Sequence, residues 1–289
     1  MRAAAIFGLG TSPGDLKQFQ AGSSTKWVDG LPGSPDDADA VLIFGGDGTI
    51  HRHLGALERL KLPVLVVPAG SGNDFARALK LRSVAASLRA WQQFEAGILE
   101  PRAIDLGLIT PANSPEQHHY FCCVAGCGLD SAVARLANQM PRWLRARGGY
   151  AMGLVPTILR FAPFLLRITT QNGGASQSYE ALTTLATFAN TPYYGGGMRI
   201  APRAKMNDGM LDVCLIREIS KLKLLSLFPT VYLGRHLDLR ESEYSRAESV
   251  RLETETPCDI YADGEYVCAT PAEIQIVPNA LQVIAPSAA

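Results

Sequence analysis

The strongest chemical signal in the sequence is a glycine-rich loop between a continuous apolar run and a helical pattern. Its five residues are Gly45, Gly46, Asp47, Gly48 and Thr49. Glycine lets the backbone approach a phosphate closely, and the N-terminus of the following helix offers unpaired N–H groups. A carboxylate inside such a loop repels phosphate, so Asp47 is better suited to Mg²⁺ carried by a nucleotide. The alternative interpretation is an ordinary glycine-rich turn.

A second segment, 68–77, repeats the order of strand, glycine-rich loop and helix. Its candidate nucleotide-binding residues are Gly70, Ser71, Gly72 and Asn73. Asp74 adds a second carboxylate for a metal ion. Loops at the C-terminal ends of parallel strands meet at one edge of a sheet, so both loops are predicted to bind the same nucleotide. For Asn73 and Asp74 the alternative is simple helix capping.

The first hundred residues alternate between strand and helix patterns. Strands are predicted over 3–7, 38–44 and 64–67, and helices over 49–62, 73–81 and 84–94. This alternation favours a doubly wound parallel sheet with crossover helices. The loop Gly45-Gly46-Asp47-Gly48-Thr49 resembles those of NAD kinases and phosphofructokinases, which implies a nucleotide domain of their kind.

Short β-rich runs dominate from Pro101 onward, with Gly, Asn and Pro between them. They predict an antiparallel β-sandwich, interrupted by helical stretches over 129–138 and 222–233. We therefore expect an α/β protein with two domains, a nucleotide domain over 1–100 and a β-rich substrate domain over 101–281. The last residues, 282–289, are expected to return to the first domain.

Net charge, cysteine spacing and apolar segments limit the classes of function that the protein can have. The chain has 289 residues and a formal net charge of +0, so no overall field attracts nucleic acid. The six cysteines form no C-x-x-C pair, which is typical of reduced thiols in a cytoplasmic protein. The longest apolar segment, 150–168, contains Arg160 and two prolines, and no transmembrane helix is predicted.

Together the two glycine loops resemble the catalytic domain shared by bacterial diacylglycerol kinases and sphingosine kinases. The first loop also occurs in NAD kinases, whereas the segment Gly72-Asn73-Asp74-Phe75-Ala76-Arg77 is typical of the lipid kinases. Later segments match the same family in order: 195–202, 207–212, 263–265 and 278–284. The resemblance covers most of the chain from Asp37 onward.

This resemblance implies roles for residues in the second half of the chain. It makes Glu265 the general base, with Asp263 in the same catalytic segment. A carboxylate suits that role because it can take the proton of an alcohol during phosphoryl transfer. The alternative is a solvated glutamate beside an Asp-Gly hairpin turn. The family also implies a structural Mg²⁺ site, with Asp208 giving a carboxylate and Lys205 and Met210 giving carbonyls. Asp105 resembles an acidic position near the metal network.

The sequence departs from the family at its first loop. Where the family has an Asn-Pro turn, this chain has Gly10-Thr11-Ser12-Pro13-Gly14. Thr11 and Gly14 are the residues expected to contact nucleotide there. The segment 129–164 mixes arginines with apolar residues, as on a surface that meets anionic headgroups, although a packed helix with a solvated basic face is the alternative.

The resulting expectation is an ATP- and Mg²⁺-dependent lipid kinase, cytoplasmic and peripherally membrane-associated. Diacylglycerol is the expected acceptor, giving phosphatidic acid. The alternatives are a kinase for a sphingoid base or another lipid alcohol, an NAD kinase-like enzyme, and a non-catalytic nucleotide- or lipid-binding protein. The oligomeric state is left open, a homodimer included, as is the basic residue that stabilises the transition state.

Overall fold

Continuous apolar runs form a parallel sheet in the N-terminal part of the protein. The computed structural model describes residues 1–139 and 150–286. The strands of this part are β1 (Arg2–Phe7), β2 (Lys26–Asp29), β3 (Ala40–Gly45) and β4 (Val64–Pro68). They lie in the order β2, β1, β3, β4, and all neighbours are parallel. Every residue of β3 is buried, as expected for a parallel strand covered on both faces.

Helices connect these strands. They are α1 (Lys17–Gln20), α2 (Asp47–Leu60), α3 (Asp74–Ala78) and α4 (Val84–Glu95). Helix α2 buries Ile50, Leu54 and Leu57 at helical spacing against the sheet, which fixes the direction of the loop before it. Its C-terminus is Lys61, in the left-handed conformation at φ 53°. The first helix is short, because 310 turns and loops occupy most of residues 13–37.

Antiparallel strands make up the C-terminal part. They are β5 (Arg102–Pro111), β6 (His119–Phe121), β7 (Val124–Gly128), β8 (Phe164–Asn172), β9 (Ala175–Ala189), β10 (Leu211–Arg217), β11 (Ser242–Ala247), β12 (Ser249–Thr254), β13 (Asp259–Ala262), β14 (Glu265–Ala269) and β15 (Ala272–Val283). The helices are α5 (Leu129–Gln139), α6 (Tyr150–Arg160) and α7 (Lys221–Leu227). Strand β13 pairs with β7 and β14, which places the β13–β14 turn beside residues 122–124.

The last strand, β15, joins the two parts of the chain. It pairs antiparallel with β5 and β12 and then parallel with β4, where Val283 is opposite Val64. The N–H of Ile284 donates to the Val64 carbonyl at 2.9 Å. The register shifts between Val277 and Leu281, so β15 is one strand with an irregularity. The boundary near residue 100 stays a prediction, because hydrogen bonding continues across it.

The strand pairing agrees with the predicted change from a parallel to an antiparallel sheet. Elements of the described residues that were not predicted include α1, α6, β2, β11 and β14. Helix α6 was not predicted because proline disfavours a helix interior. Pro156 nevertheless lies inside this helix. Strand β2 is short and largely exposed at the sheet edge, so it lacks the buried apolar run that marks β3. Among the described residues no helix is long and apolar enough to cross a membrane.

A glycine in β5 gives a test of this packing. A methyl group on Gly107 would lie 2.0 Å from the fully buried ring of Phe121, so Gly107→Ala is expected to destabilise the fold by about 2–3 kcal/mol through overpacking. The matched control is Gly55→Ala in α2. The nearest atom outside its helix and chain neighbours lies 3.8 Å away, and helix propensity favours alanine by about 1 kcal/mol. Urea denaturation of both variants measures the difference, and equal stabilities would contradict this packing.

Candidate active site

The two glycine-rich loops touch each other at the C-terminal edge of the parallel sheet. A methyl group on Gly70 would lie 2.5 Å from Gly46 Cα, and one on Gly46 would lie 2.8 Å from Gly70 Cα. Only glycine at both positions allows this approach. The prediction that the loops meet at one edge is therefore matched by the backbone geometry.

Asp47 links the first loop to the second. Its carboxylate accepts the N–H groups of Asp74 at 3.0 Å and Phe75 at 3.1 Å, which begin helix α3. Burial, followed by the negative charge of Asp74, raises the pKa of Asp47 to about 6 in spite of these hydrogen bonds. Excess negative charge on oxygen ligands favours a hard cation, so this carboxylate fits the Mg²⁺ expected with a nucleotide.

Asn73 shapes the second loop. It has a φ of 53°, its Oδ1 accepts the N–H of Gly70 at 2.8 Å, and its Nδ2 donates to the Gly70 carbonyl at 2.6 Å. The side-chain amide is thus engaged with the loop backbone. Ser71 lies exposed at the tip of the same loop, where its hydroxyl is accessible to a ligand.

Asp74 connects this loop to the second half of the chain. Its carboxylate is buried, pairs with Arg77, and accepts the N–H of Gly196 at 2.7 Å. Burial raises its pKa more than the Gly196 N–H and the Arg77 charge lower it. A methyl group on Gly72 would lie 3.0 Å from Asp47 Oδ2 and 3.6 Å from Asp74 Oδ2, so both carboxylates flank Gly72.

Glu265 approaches the first glycine loop from the β-rich part of the chain. It begins β14, is exposed, and directs its carboxylate at Gly48, where a methyl group would lie 2.9 Å from Oε1. Glu265 comes from the β-rich part of the chain, and Gly48 from the nucleotide loop. An accessible carboxylate next to a glycine loop is placed to accept a proton from an acceptor bound there.

The side chain of Asp263 is fully buried, unlike that of Glu265 two residues later. Its carboxylate accepts the N–H groups of Cys122 at 2.9 Å, Cys123 at 2.8 Å and Val124 at 3.3 Å. The imidazole Nδ1 of His51 lies 3.2 Å from its Oδ2. Burial raises the pKa of Asp263, but His51 and the backbone N–H groups lower it by a larger amount. The resulting pKa is below its usual value. Such an environment suits a residue that positions Glu265.

His51 is a site residue that the sequence analysis missed. Burial lowers its pKa, and the hydrogen bond and charge of Asp263, with Glu265, outweigh that effect and raise it. His51 stands four residues after Asp47 in α2, so it lies on the same helix face as the glycine loop. The four-residue spacing from Asp47 is the feature of the sequence that could have identified His51. Asn138 was also missed; it donates to the carbonyl of Gly264 at 2.8 Å.

Three residues that were predicted to contact nucleotide make contacts within the protein: Thr49, Thr11 and Gly14. The Thr49 side chain is packed inward, and a methyl group on Gly8 would lie 2.3 Å from its Oγ1. Thr11 donates its hydroxyl to the Gly8 carbonyl at 2.8 Å. Gly14 belongs to a 310 turn over 13–16, capped by Ser12. These residues shape the floor and edge of the loop region; their contact with nucleotide stays a prediction.

The predicted structural metal site lies in a separate loop. Asp208 pairs with Arg246 and accepts the N–H of Met210 at 3.2 Å. A cation at Asp208 would compete with this guanidinium. Asp105 is buried beside the loop and accepts the N–H groups of Gly209 at 2.8 Å and Asn279 at 2.9 Å. Metal binding by Lys205, Asp208 and Met210 stays a prediction.

An apolar pocket lies behind the loop that contacts Asp74. It is lined by sixteen residues from α5, α6, α7 and the surrounding strands and loops, among them Leu129, Val133, Ile158, Met198, Ile200 and Phe228. Its free volume is about 60 Å³. Met198 and Ile200 follow Gly196 directly, so the pocket and the glycine loops share one connecting segment. Four residues of the predicted lipid-facing surface lie outside the described residues: Arg142, Trp143, Arg145 and Arg147.

Two family models match the chain. Residues 16–109 match the diacylglycerol kinase catalytic domain, and residues 123–285 match the YegS C-terminal NAD kinase beta sandwich-like domain. A protein named diacylglycerol kinase from Mycobacterium tuberculosis (strain ATCC 25618 / H37Rv) is 37% identical over 254 residues. The match covers 86% of this chain and 77% of that protein.

Solved structures share the fold. A structure of a diacylglycerol kinase from Bacillus anthracis str. Sterne has a TM-score of 0.68 at 18% identity, covering 99% of this chain and 97% of that one. An NAD kinase from Archaeoglobus fulgidus, in complex with ATP, has a TM-score of 0.51 at 14% identity, covering 98% and 92%. These likenesses confirm the predicted fold class of a nucleotide domain followed by a β-sandwich domain.

The pKa of Asp47 predicts a pH-dependent stability. Because its pKa is raised from 3.8 to about 6 in the fold, ionised Asp47 destabilises the protein increasingly from pH 4 to 6 and fully above pH 6. Asp47→Asn removes this charge. The amide keeps one acceptor oxygen for the N–H groups of Asp74 and Phe75, which adds an offset that does not change with pH. Apart from this offset, the free energy of unfolding of the wild-type protein should fall relative to that of the variant by about 1–3 kcal/mol between pH 4 and pH 8.

Urea denaturation across this pH range, with chelator present to remove bound cations, measures the effect. Asp29→Asn is the matched control, because Asp29 is an exposed carboxylate in β2. A difference between the two proteins that does not change with pH would contradict the electrostatic description of Asp47.

Proposed function

Because the chain belongs to the diacylglycerol kinase family of lipid kinases, we propose that it transfers the γ-phosphoryl group of Mg-ATP to the hydroxyl of diacylglycerol, giving phosphatidic acid. One observation carries this proposal. The exposed carboxylate of Glu265 lies against Gly48, so a candidate base from the β-sandwich domain meets the glycine loop of the nucleotide domain. A binding protein without catalysis has no need of this arrangement.

The glycine loops supply the nucleotide site. Backbone N–H groups at 46–48 and 71–73 hold the phosphates, and glycine keeps that surface free of side chains. The fold shared with an ATP-bound NAD kinase supports this placement of ATP. Asp47 and Asp74 are the residues that would hold Mg²⁺, which neutralises phosphate charge when it is bound.

Glu265 activates the acceptor. The hydroxyl oxygen forms a bond to the γ-phosphorus as the bond from that phosphorus to the β-phosphate oxygen breaks, and ADP leaves. The hydroxyl proton passes to the Glu265 carboxylate. Asp263 holds the turn that bears Glu265, which keeps the base beside the first glycine loop, where the oxygen attacks in line with the leaving group.

The apolar pocket favours an acceptor with acyl chains. It is bounded by α5, α6 and α7, and it adjoins the segment that contacts Asp74. Its volume of about 60 Å³ is too small for an acyl chain, so α6 and α7 must move apart to admit one. A soluble dinucleotide acceptor gains nothing from this apolar lining.

A lipid acceptor also requires contact with the membrane surface. Leu159 of α6 and Leu222 of α7 are 50% and 80% exposed, and Leu233 is 67% exposed. The Lys221 ammonium donates to the Leu159 carbonyl at 2.5 Å, which keeps a positive charge beside these apolar side chains. Apolar side chains next to basic ones suit the interface of an anionic bilayer, so we place the peripheral membrane contact here.

A phosphoryl-transfer assay tests the function and the acceptor together. Purified protein is given ATP labelled in the γ-phosphoryl group, Mg²⁺, and mixed micelles of diacylglycerol, a sphingoid base, ceramide or a polyprenol. We expect labelled phosphatidic acid from diacylglycerol. Glu265→Gln is expected to lower kcat by about 10²–10⁴-fold, because it removes the proton acceptor while the phosphate loops stay intact.

Glu255→Gln is the matched control, since Glu255 is an exposed glutamate in the loop between β12 and β13. A parallel reaction with NAD as the acceptor tests the soluble-substrate alternative. Label on NAD alone would replace the proposed function, and label on another lipid would change its acceptor. A fully active Glu265→Gln variant would remove Glu265 from the mechanism, and ATP binding with no product from any acceptor would favour a binding protein.

A further inference from the structure

Three side chains with metal-binding atoms converge behind the catalytic turn, and an imidazole lies beside one of them. Cys122 and Cys123 lie at the end of β6, Asp263 lies in the β13–β14 turn, and His51 lies on α2. The two Sγ atoms and a carboxylate oxygen of Asp263 all lie within 4.8 Å of one another. The Nδ1 atom of His51 lies 3.2 Å from Oδ2 of Asp263. The proposed phosphoryl transfer uses none of the sulfur atoms.

Three of the six ligand separations are close to those of one tetrahedral ion. With Zn–S bonds of ~2.3 Å and Zn–N and Zn–O bonds of ~2.1 Å, tetrahedral ligands lie about 3.8 Å (S to S), 3.6 Å (S to O) and 3.4 Å (N to O) apart. The Sγ atoms of Cys122 and Cys123 are 3.9 Å apart. Cys122 Sγ lies 3.4 Å from Asp263 Oδ2, and the His51 separation is 3.2 Å. These three separations differ from the tetrahedral values by about 0.2 Å or less. His51 lies outside the group of atoms within 4.8 Å of one another, so its imidazole must shift toward the two thiols to complete the tetrahedron.

We infer that Cys122, Cys123 and Asp263 bind a thiophilic divalent cation such as Zn²⁺, and that His51 turns toward the ion as the fourth ligand. Two thiolates, one carboxylate and one imidazole are a donor set that Zn²⁺ accepts and that Mg²⁺ disfavours. The site is distinct from the Mg²⁺ expected at Asp47 and Asp74, and it does not depend on the proposed function.

Binding rearranges protons at the cluster. Burial holds the pKa of both thiols above the usual value, so at neutral pH the ion displaces both thiol protons to solvent. His51 coordinates through Nδ1 in its neutral form and gives up its hydrogen bond to Asp263. Its side chain is 13% exposed, whereas Cys122 and Asp263 are fully buried, so the imidazole side provides the access for the ion.

The consequence is a metal link between the two domains. His51 belongs to the helix that follows the first glycine loop, and Asp263 precedes Glu265 by two residues. One ion would fix both to the 122–123 segment. The protein with Zn²⁺ should therefore unfold at a higher temperature than the protein without it.

Cobalt is the probe, because Co²⁺ substitutes for Zn²⁺ and its spectrum reports geometry and sulfur ligation. The full chain is stripped with chelator and titrated with Co²⁺ under reducing conditions without nucleotide. We expect one Co²⁺ per chain, intense visible bands of a tetrahedral ion, and a thiolate charge-transfer band. Added Zn²⁺ should bleach both signals as it replaces cobalt.

Cys122→Ser/Cys123→Ser is expected to lose both signals. Its matched control is Cys127→Ser/Cys258→Ser, which removes the other contacting thiol pair and should retain them. His51→Leu should weaken binding by more than the ~10–100-fold typical of outer-shell changes. If the double variant does not fold, the two single serine variants carry the test, since each removes one thiolate.

Three results would overturn the inference. Cobalt spectra of an octahedral ion without charge transfer would show that the thiols do not bind. Bands that persist in the Cys122 and Cys123 variants, or that vanish in the Cys127→Ser/Cys258→Ser control, would assign the ion to other thiols. Zinc affinity unchanged in His51→Leu would exclude the imidazole as a ligand.

Discussion

The buried carboxylate of Asp263 is the interaction on which the site geometry depends. It accepts three backbone N–H groups from residues 122–124 and faces His51 on α2. It therefore joins the helix of the nucleotide loop, a segment of the β-sandwich domain and the turn that leads to Glu265. An unpaired buried charge costs about 3–5 kcal/mol, so the partners of Asp263 cannot separate independently. The side chain of Glu265 is exposed, but the turn from which it extends is fixed.

The nucleotide loops show how function opposes stability in this protein. Asp47 and Asp74 lie on either side of Gly72, and burial raises the pKa of both carboxyl groups. Backbone N–H groups and Arg77 offset only part of this rise in pKa. A protein selected for stability alone would replace one of these acids, whereas a metal- and phosphate-binding site benefits from their unneutralised charge.

Several parts of this arrangement were predictable from sequence because they are local. A buried run followed by Gly-Gly-Asp-Gly determines β3, its loop and the start of α2, and the same logic applies to β4 and α3. The inward packing of Thr49 was not predictable, since it depends on Gly8 from a different strand. The burial of Asp263 likewise depends on N–H groups 139–141 residues away in the chain. An Asp-Gly pair indicates a turn and says nothing of what the aspartate binds.

The central claim is that Asp263 positions Glu265 without contacting substrate, and Asp263→Asn tests it most directly. The asparagine keeps the size of the side chain but turns one acceptor oxygen into a donor that faces backbone N–H groups. Single-turnover phosphoryl transfer and Mg-ATP affinity are measured for the same variant. The account predicts a transfer rate reduced about 10²-fold or more, with ATP affinity changed less than about threefold. A wild-type transfer rate, or a loss confined to ATP affinity, would contradict it.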